Sequence, residues 1–241
     1  MTLVAIHQPN FFPWLGYFAK IVRSDVFVFL DHVQYSKTGG TWSNRVKLRI
    51  GGKVRWQTAP VSRAFHGTNE ISAIRWDNQQ AWREKLSKTL RTNYTKAPFF
   101  TQTMALIEPL IFFNNDSLAA FNIHAIKAIA RHVSISTDHC VRSSALAVVG
   151  QGSDLLIELT NRVGGRTYLC GGGASDYQDD AAFARAGVGL MYQKFIHPVY
   201  SQGNGPFEPG LSIVDALMHA GAGKVLQMLR EVNTGEIQQT T

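Results

Sequence analysis

Two short apolar runs near the start of the chain each end abruptly in polar side chains. Leu3 to Ile6 is followed by His7, Gln8, Pro9 and Asn10, and Val26 to Leu30 by Asp31 and His32. Between them, Pro13 opens a stretch in which Leu15, Phe18, Ile21 and Val22 recur at helical spacing. The pattern predicts a strand over 2–7, a helix over 14–22 and a strand over 25–30. This is a β-α-β unit of about thirty residues, the least that a parallel crossover needs. A right-handed crossover brings both strand ends to one edge of the sheet, where open α/β sheets bind their ligands.

The texture then changes. Val46, Leu48 and Ile50 alternate with Lys47 and Arg49, Gly51 and Gly52 follow, and Val54 to Pro60 is extended, which together read as a hairpin. Lys47 and Arg49 share a face by the two-residue period, and Lys53 and Arg55 are expected beside them across the ladder. Like charges opposed in this way either splay into solvent or enclose an anion. Further on, Ile71 to Trp76 alternates as a short strand, and Asp77 or Asn78 is placed to cap a helix over 80–92 whose outer face is basic. Pro98 opens a helix over 99–113, and Asn115 or Asp116 caps another over 118–132. A polar, β-branched stretch over 134–147 leads to a helix over 154–163 stopped by Gly164 and Gly165, a strand over 167–170, a short helix over 179–186 and a strand over 188–195. A Gly- and Pro-rich loop over 197–210 and an apolar helix over 211–220 complete the pattern. The fold class is therefore α/β, with a mixed or mostly parallel sheet opened by the β-α-β unit and a helical middle region. One domain over 1–241 accounts for this, with Gly150 to Gly152 a weak hinge where a subdivision would fall.

Composition narrows the class. Of 241 residues 45% are hydrophobic and 11% aromatic, enough for a substantial core. No run of about 18 uncharged apolar residues and no leader pattern is visible, so a cytoplasmic protein without a membrane span is expected. The two cysteines, Cys140 and Cys170, lack metal-ligand spacing, and the eight histidines show neither HxH nor HxxxH, so neither a disulfide framework nor a metal site is predicted. The net charge of +7 favours an anionic partner, whether nucleic acid, a phosphorylated metabolite or an acidic carrier domain. The basic residues form no block or tail and no nucleic-acid motif occurs, which argues against nucleic acid and leaves a solvated basic surface as the alternative.

His7 is the leading chemical candidate, because imidazole at a strand end serves as base, acid or donor near neutral pH, with Asp31 as its orienting partner. The alternative is that His7 only bonds loop carbonyls between Gln8 and Phe12. Asn44, Arg45 and Lys47 suit a carboxylate, phosphate or amide, or form an ordinary exposed turn. Cys170 precedes Gly171, Gly172 and Gly173, a loop able to cradle an anion with backbone N–H groups on the way to Ser175 and Tyr177. As a nucleophile Cys170 requires a base such as His7 or His197; otherwise it is a small buried thiol. The loop lacks the lysine of a P-loop and the spacing of a dinucleotide fingerprint, so the cofactor is left unassigned. Tyr192, Gln193, Phe195, His197 and Tyr200 form a strip suited to stacking on a sugar or to covering a core, and Asp215, one turn after Ser212, either contacts ligand or makes a local cap or salt bridge.

The runs IHQPNFFPWLGYF from Ile6, SDVFVFLDHVQYSK from Ser24, NRVKL from Asn44, NYTKAPFF from Asn93, YLCGGGASDY from Tyr168, YQKFIHPVY from Tyr192 and LSIVDALMHAG from Leu211 resemble the WbqC-like family of bacterial proteins, over nearly the whole chain. The resemblance implies biosynthetic group transfer in the making of O-antigen and other surface polysaccharides, or in carrier-protein-dependent pathways. It implies acyl or aminoacyl transfer onto the amine of an amino sugar or other small molecule, with His7 as base and the glycine loop or Arg45 stabilising the oxyanion. The implied partners are a small anionic or amino-sugar substrate and an acyl-carrier domain. Serine is usual in the family where Cys170 stands, which argues against a thiol intermediate. The opening crossover is also similar to nucleotidyltransferases, although Tyr17 follows Gly16 where those enzymes carry a second histidine. A noncatalytic sugar-nucleotide or carrier-protein binding module is the third reading.

Overall fold

The computed structural model describes residues 2–36, 41–62, 67–171 and 178–232. Strand β1 (Leu3–His7), helix α1 (Leu15–Arg23) and strand β2 (Val26–Phe29) form the expected crossover. The hairpin β3 (Arg45–Ile50) and β4 (Lys53–Thr58) follows, then helices α2 (Trp82–Tyr94), α3 (Phe100–Ile111) and α4 (Leu118–His132). Strand β5 (Cys140–Arg142), helix α5 (Gly152–Arg162), strand β6 (Thr167–Gly171), helix α6 (Asp180–Arg185), strand β7 (Gly189–Gln193) and helix α7 (Ile213–Val232) complete the architecture.

Five strands form one sheet in the order β5-β2-β1-β6-β7, and every pairing in it is parallel. The hairpin is a separate two-stranded ribbon. The chain fills one side of β1 with β2 and β5 and then returns to the other side with β6 and β7. The reversal of strand order therefore lies between β1 and β6, the position at which such sheets leave a crevice beyond their carboxyl ends.

The sheet is buried on both faces, which is why its strands read as apolar runs rather than alternating ones. Ala5, Phe27, Phe29, Leu169 and Met191 face a large core shared with α1, α4 and α7. Val4, Ile6, Val28, Tyr168, Cys170 and Leu190 face a smaller one closed by Leu155 and Leu159 of α5 and Phe183 of α6.

Several local expectations are corrected. Residues 71–76 are not a strand: Ile71–Ala73 is a 3-10 turn, and only isolated bridges join Val61 to Trp76 and Arg75 to Ser117. The cap of α4 is Ser117, whose hydroxyl accepts from the Ala120 N–H at 3.3 Å, rather than Asn115 or Asp116. No side chain caps α2, and Asp77 instead accepts from Gln79 N–H and the Gln80 amide. Helix α7 passes beyond residue 220 by kinking at Gly221, whose φ of 74° and contact with the Phe99 ring, 2.7 Å from where a Cβ would stand, admit no larger residue without strain. In the hairpin, Lys47 pairs with Trp56 and Arg49 with Val54, while Leu48 pairs with Arg55 and Ile50 with Lys53. Lys53 and Arg55 therefore lie on the opposite face from Lys47 and Arg49, so the expected clash of like charges does not arise.

Candidate functional site

A cavity of about 750 Å³ opens beyond the carboxyl ends of β1 and β6. His7 and Gln8 reach it from β1, Gly171 from β6, Gln193 from β7, and Trp14, Tyr17 and Lys20 from α1 and its approach. The loop between β1 and α1 is held at three points. Phe11 N–H donates to the Trp42 carbonyl at 2.8 Å, the Ser212 hydroxyl to the Phe12 carbonyl at 2.7 Å, and Ile213 N–H to the Pro13 carbonyl at 2.8 Å. These contacts support Phe12 at φ 42°, an uncommon backbone state for a residue with a side chain. Gly16 is required because a methyl group there would come within 2.2 Å of the Trp14 ring, which forms part of the cavity wall.

His7 Nδ1 lies 3.1 Å from the Gln8 carbonyl and its ring packs edge-on against Tyr17 at 4.7 Å. A carbonyl only accepts, so Nδ1 carries the proton and Nε2 is left as the acceptor. Burial, aided by the positive charge of Lys20, pushes the imidazole pKa from 6.5 down to about 3. His7 is therefore neutral at physiological pH. Because its folded pKa lies below its ordinary one, protonation favours the unfolded chain, and this contribution to stability is lost as pH falls from 6.5 toward 3. Urea midpoints measured between pH 7 and 4 are expected to fall more steeply for the wild type than for His7→Gln; equal slopes would refute the buried neutral imidazole.

Lys20, only 4% exposed, is the residue that sequence reasoning missed. Among the described residues lining the cavity it is the single lysine, arginine, aspartate or glutamate, and no described carboxylate forms an ion pair with it. Its Nζ approaches the end of β6, standing 3.7 Å from where a Cβ on Gly171 would lie. Burial lowers the ammonium pKa to about 8, although the nearby Cys170 opposes the shift. The signal was present in the sequence: Lys20 falls one turn after Gly16, inside the otherwise apolar run Leu15 to Val22.

The remaining candidates divide. Gln8 and Gly171 join His7 in the cavity, while Gly172 and Tyr177 lie outside the described residues. Asp31 is not brought to His7. Its fully buried carboxylate accepts from Arg142 Nε at 2.7 Å, Ser143 Oγ at 3.1 Å, and Ser144 N–H and Oγ at 2.9 Å each, and its ion pair with Arg142 is 2.6 Å long. It joins the end of β2 to the turn after β5. Cys170 is fully buried, its thiol bonded to the Met191 carbonyl at 3.3 Å and its pKa pushed by burial to about 11, which suppresses the thiolate a nucleophile needs.

Asn44 is buried in the hairpin's base, where its amide donates to the Ala59 carbonyl at 3.0 Å. Arg45 and Lys47 stand on the outer face of the hairpin against Trp56. Tyr200 and Asp215 do meet: the Tyr200 and Tyr94 hydroxyls each donate to the Asp215 carboxylate at 2.9 Å, outside the cavity lining. This cluster fastens α7 to α2 and the 197–210 loop, which Arg49 also clasps through the Gln202 side chain and the Asn204 and Pro206 carbonyls.

Among the described residues no three His, Cys, Asp or Glu side chains converge to hold a metal ion, and no helix is long and apolar enough to cross a membrane. Compared with known proteins, the chain matches the family model described as the WbqC-like protein family over residues 8–226, beginning at the residue after His7. An uncharacterised protein of Mycobacterium tuberculosis, Rv1507c, is 28% identical over 224 residues, covering 92% of this chain and 95% of its own length. No solved structure matches the chain.

Proposed function

From a chain that belongs to the WbqC-like protein family and a crevice holding one ammonium beside a neutral imidazole, we propose a transferase that moves an acyl or aminoacyl group onto the amine of an amino sugar or similar small molecule. The observation that carries this reading is the chemistry of the cavity wall. Lys20 supplies a single cation, Gln8, Asn10 and Gln193 supply amides, and Ile6, Leu30 and Leu156 supply apolar surface. Such a wall suits one polarised carbonyl on an apolar body, whereas a triphosphate calls for several cations.

In the proposed step the acceptor nitrogen attacks the donor carbonyl carbon. A C–N bond forms and the carbonyl π pair moves onto oxygen, which the Lys20 ammonium stabilises. Nε2 of His7 takes the proton from nitrogen and delivers it to the departing thiolate or alkoxide as the C–S or C–O bond breaks. Burial is the main cause of the low imidazole pKa and the Lys20 charge adds to it; the negative oxygen offsets that charge, so His7 becomes a stronger base as the intermediate forms. Surface-polysaccharide or carrier-dependent biosynthesis in the cytoplasm is the setting proposed for this activity.

Incubation with an acyl-coenzyme A series and glucosamine, offered free and as its UDP conjugate, and read by mass spectrometry for the N-acylated sugar, tests the reading. His7→Ala is expected to remove product while donor affinity stays within a few-fold; equal loss of both assigns His7 to binding, and no product across the series overturns the proposal. The strand order favours a second reading, nucleotidyl transfer, since a parallel sheet wound outward in both directions from its first strand, as β5-β2-β1-β6-β7 is, binds nucleotides at this crevice. Against it stands Tyr17, whose hydroxyl donates to the Gln8 carbonyl at 3.1 Å in place of a second imidazole. Pyrophosphate release from a nucleoside triphosphate and a sugar phosphate would favour this second reading.

A further inference from the structure

Arg45, Lys47 and Trp56 on the hairpin's outer face gather around Trp42, which precedes the hairpin and lines the cavity. Trp42 and Trp56 meet edge to face, their rings 4.8 Å apart at 71°. The Arg45 guanidinium lies 4.1 Å over the Trp56 ring, and Lys47 Nζ stands 5.2 Å from Trp56 and 5.8 Å from Trp42. A ring face attracts a cation without bringing a compensating negative charge. No described carboxylate pairs with Lys47.

Trp42 belongs to both places, because it also lines the cavity that holds His7 and Lys20. Its position is fixed from the site itself, through the bond from Phe11 N–H to its carbonyl. Trp56 is 39% exposed, an unusual cost for an indole and one recovered when a planar group stacks on it.

We propose that this face is a nucleoside diphosphate subsite, with the base on the exposed indole edge and face of Trp56, the diphosphate beside Lys47 and Arg45, and the attached sugar leading past Trp42 into the cavity. Stacking on indole is tolerant of base identity, and an ammonium and a guanidinium side by side match a diphosphate. The inference rests on the transferase reading above and deepens it: the acceptor enters as a nucleotide-linked amino sugar rather than as a free one.

Calorimetric titration of the full chain with UDP, ADP, uridine, inorganic pyrophosphate and geranyl diphosphate tests the assignment. UDP and ADP are expected to bind saturably, about tenfold tighter than uridine or pyrophosphate, and geranyl diphosphate to bind no better than pyrophosphate. Lys47→Ala and Trp56→Leu should each weaken UDP binding about tenfold, while Lys20→Met leaves it within about threefold. Both hairpin substitutions act on the outer face and should leave the thermal midpoint within a few degrees of wild type. Equal binding of pyrophosphate and UDP, equal binding of geranyl diphosphate and UDP, or hairpin variants without effect overturn the subsite. Binding of UDP without acyl transfer by any donor sinks the transferase reading and spares the subsite; transfer to free glucosamine that UDP does not inhibit does the reverse.

Discussion

Lys20→Met is expected to lower kcat/KM for acyl transfer by about 10²–10³-fold while leaving the protein at least as stable as the wild type. Both halves follow from one fact: the ammonium is almost completely buried and no described carboxylate pairs with it. A buried charge without a counter-ion destabilises the fold, and an unbranched apolar side chain of similar length removes that cost. Catalysis loses the one cation able to receive the developing oxyanion. The pH dependence carries the same sign. With a folded pKa of about 8 against an ordinary 10.5, Lys20 burdens the fold below pH 8 and the burden lifts as pH rises toward 10.5. Activity, which needs the ammonium, should instead decline as pH rises through about 8, and the methionine variant should lack that limb. A stopped assay across pH 6–10 beside a denaturant titration separates the effects; a variant that is both active and unchanged in stability would remove Lys20 from the site.

Asp31→Ala is expected to cost about 3 kcal/mol of stability, read as a lower urea midpoint, and to leave transfer by the surviving folded protein near the wild-type rate. The carboxylate is completely buried and accepts from Arg142, Ser143 and Ser144 at once, so its loss leaves several donors without a partner inside the end of the sheet. Arg142 is 42% exposed and can turn to water, which keeps the loss toward the lower end for a broken buried pair. A rate that collapses while stability holds would restore Asp31 to the chemistry that its position after β2 first indicated.

The contrast between these two residues shows what the linear chain disclosed. The polar punctuation after β1 and β2 correctly marked one sheet edge, because parallel pairing brings both strand ends there. It did not disclose that Asp31 is drawn sideways to Arg142, since β5 is only three residues long, lies at the sheet's edge and carries no apolar run. Lys20 was hidden for the opposite reason: the periodicity that located α1 drew attention to its apolar positions and away from the charge among them. Cys170 looked reactive beside its glycines, yet its thiol is sealed in the smaller core, while Gly171 lines the cavity. The hairpin's register decided Lys47, whose neighbour across the ladder is Trp56 and not a second cation, and register of this kind depends on turn geometry that residue types alone leave open.

The sheet's winding has a bearing on biogenesis. Strand β1 at residues 3–7 bonds β2 at once through a local crossover, but its other flank is closed only by β6 at residues 167–171. During synthesis a nascent chain therefore carries an open, apolar strand margin until most of the polypeptide has left the ribosome. Fragments ending before β6 should accordingly engage chaperones or aggregate, and the crevice, which needs both flanks, is among the last features to mature.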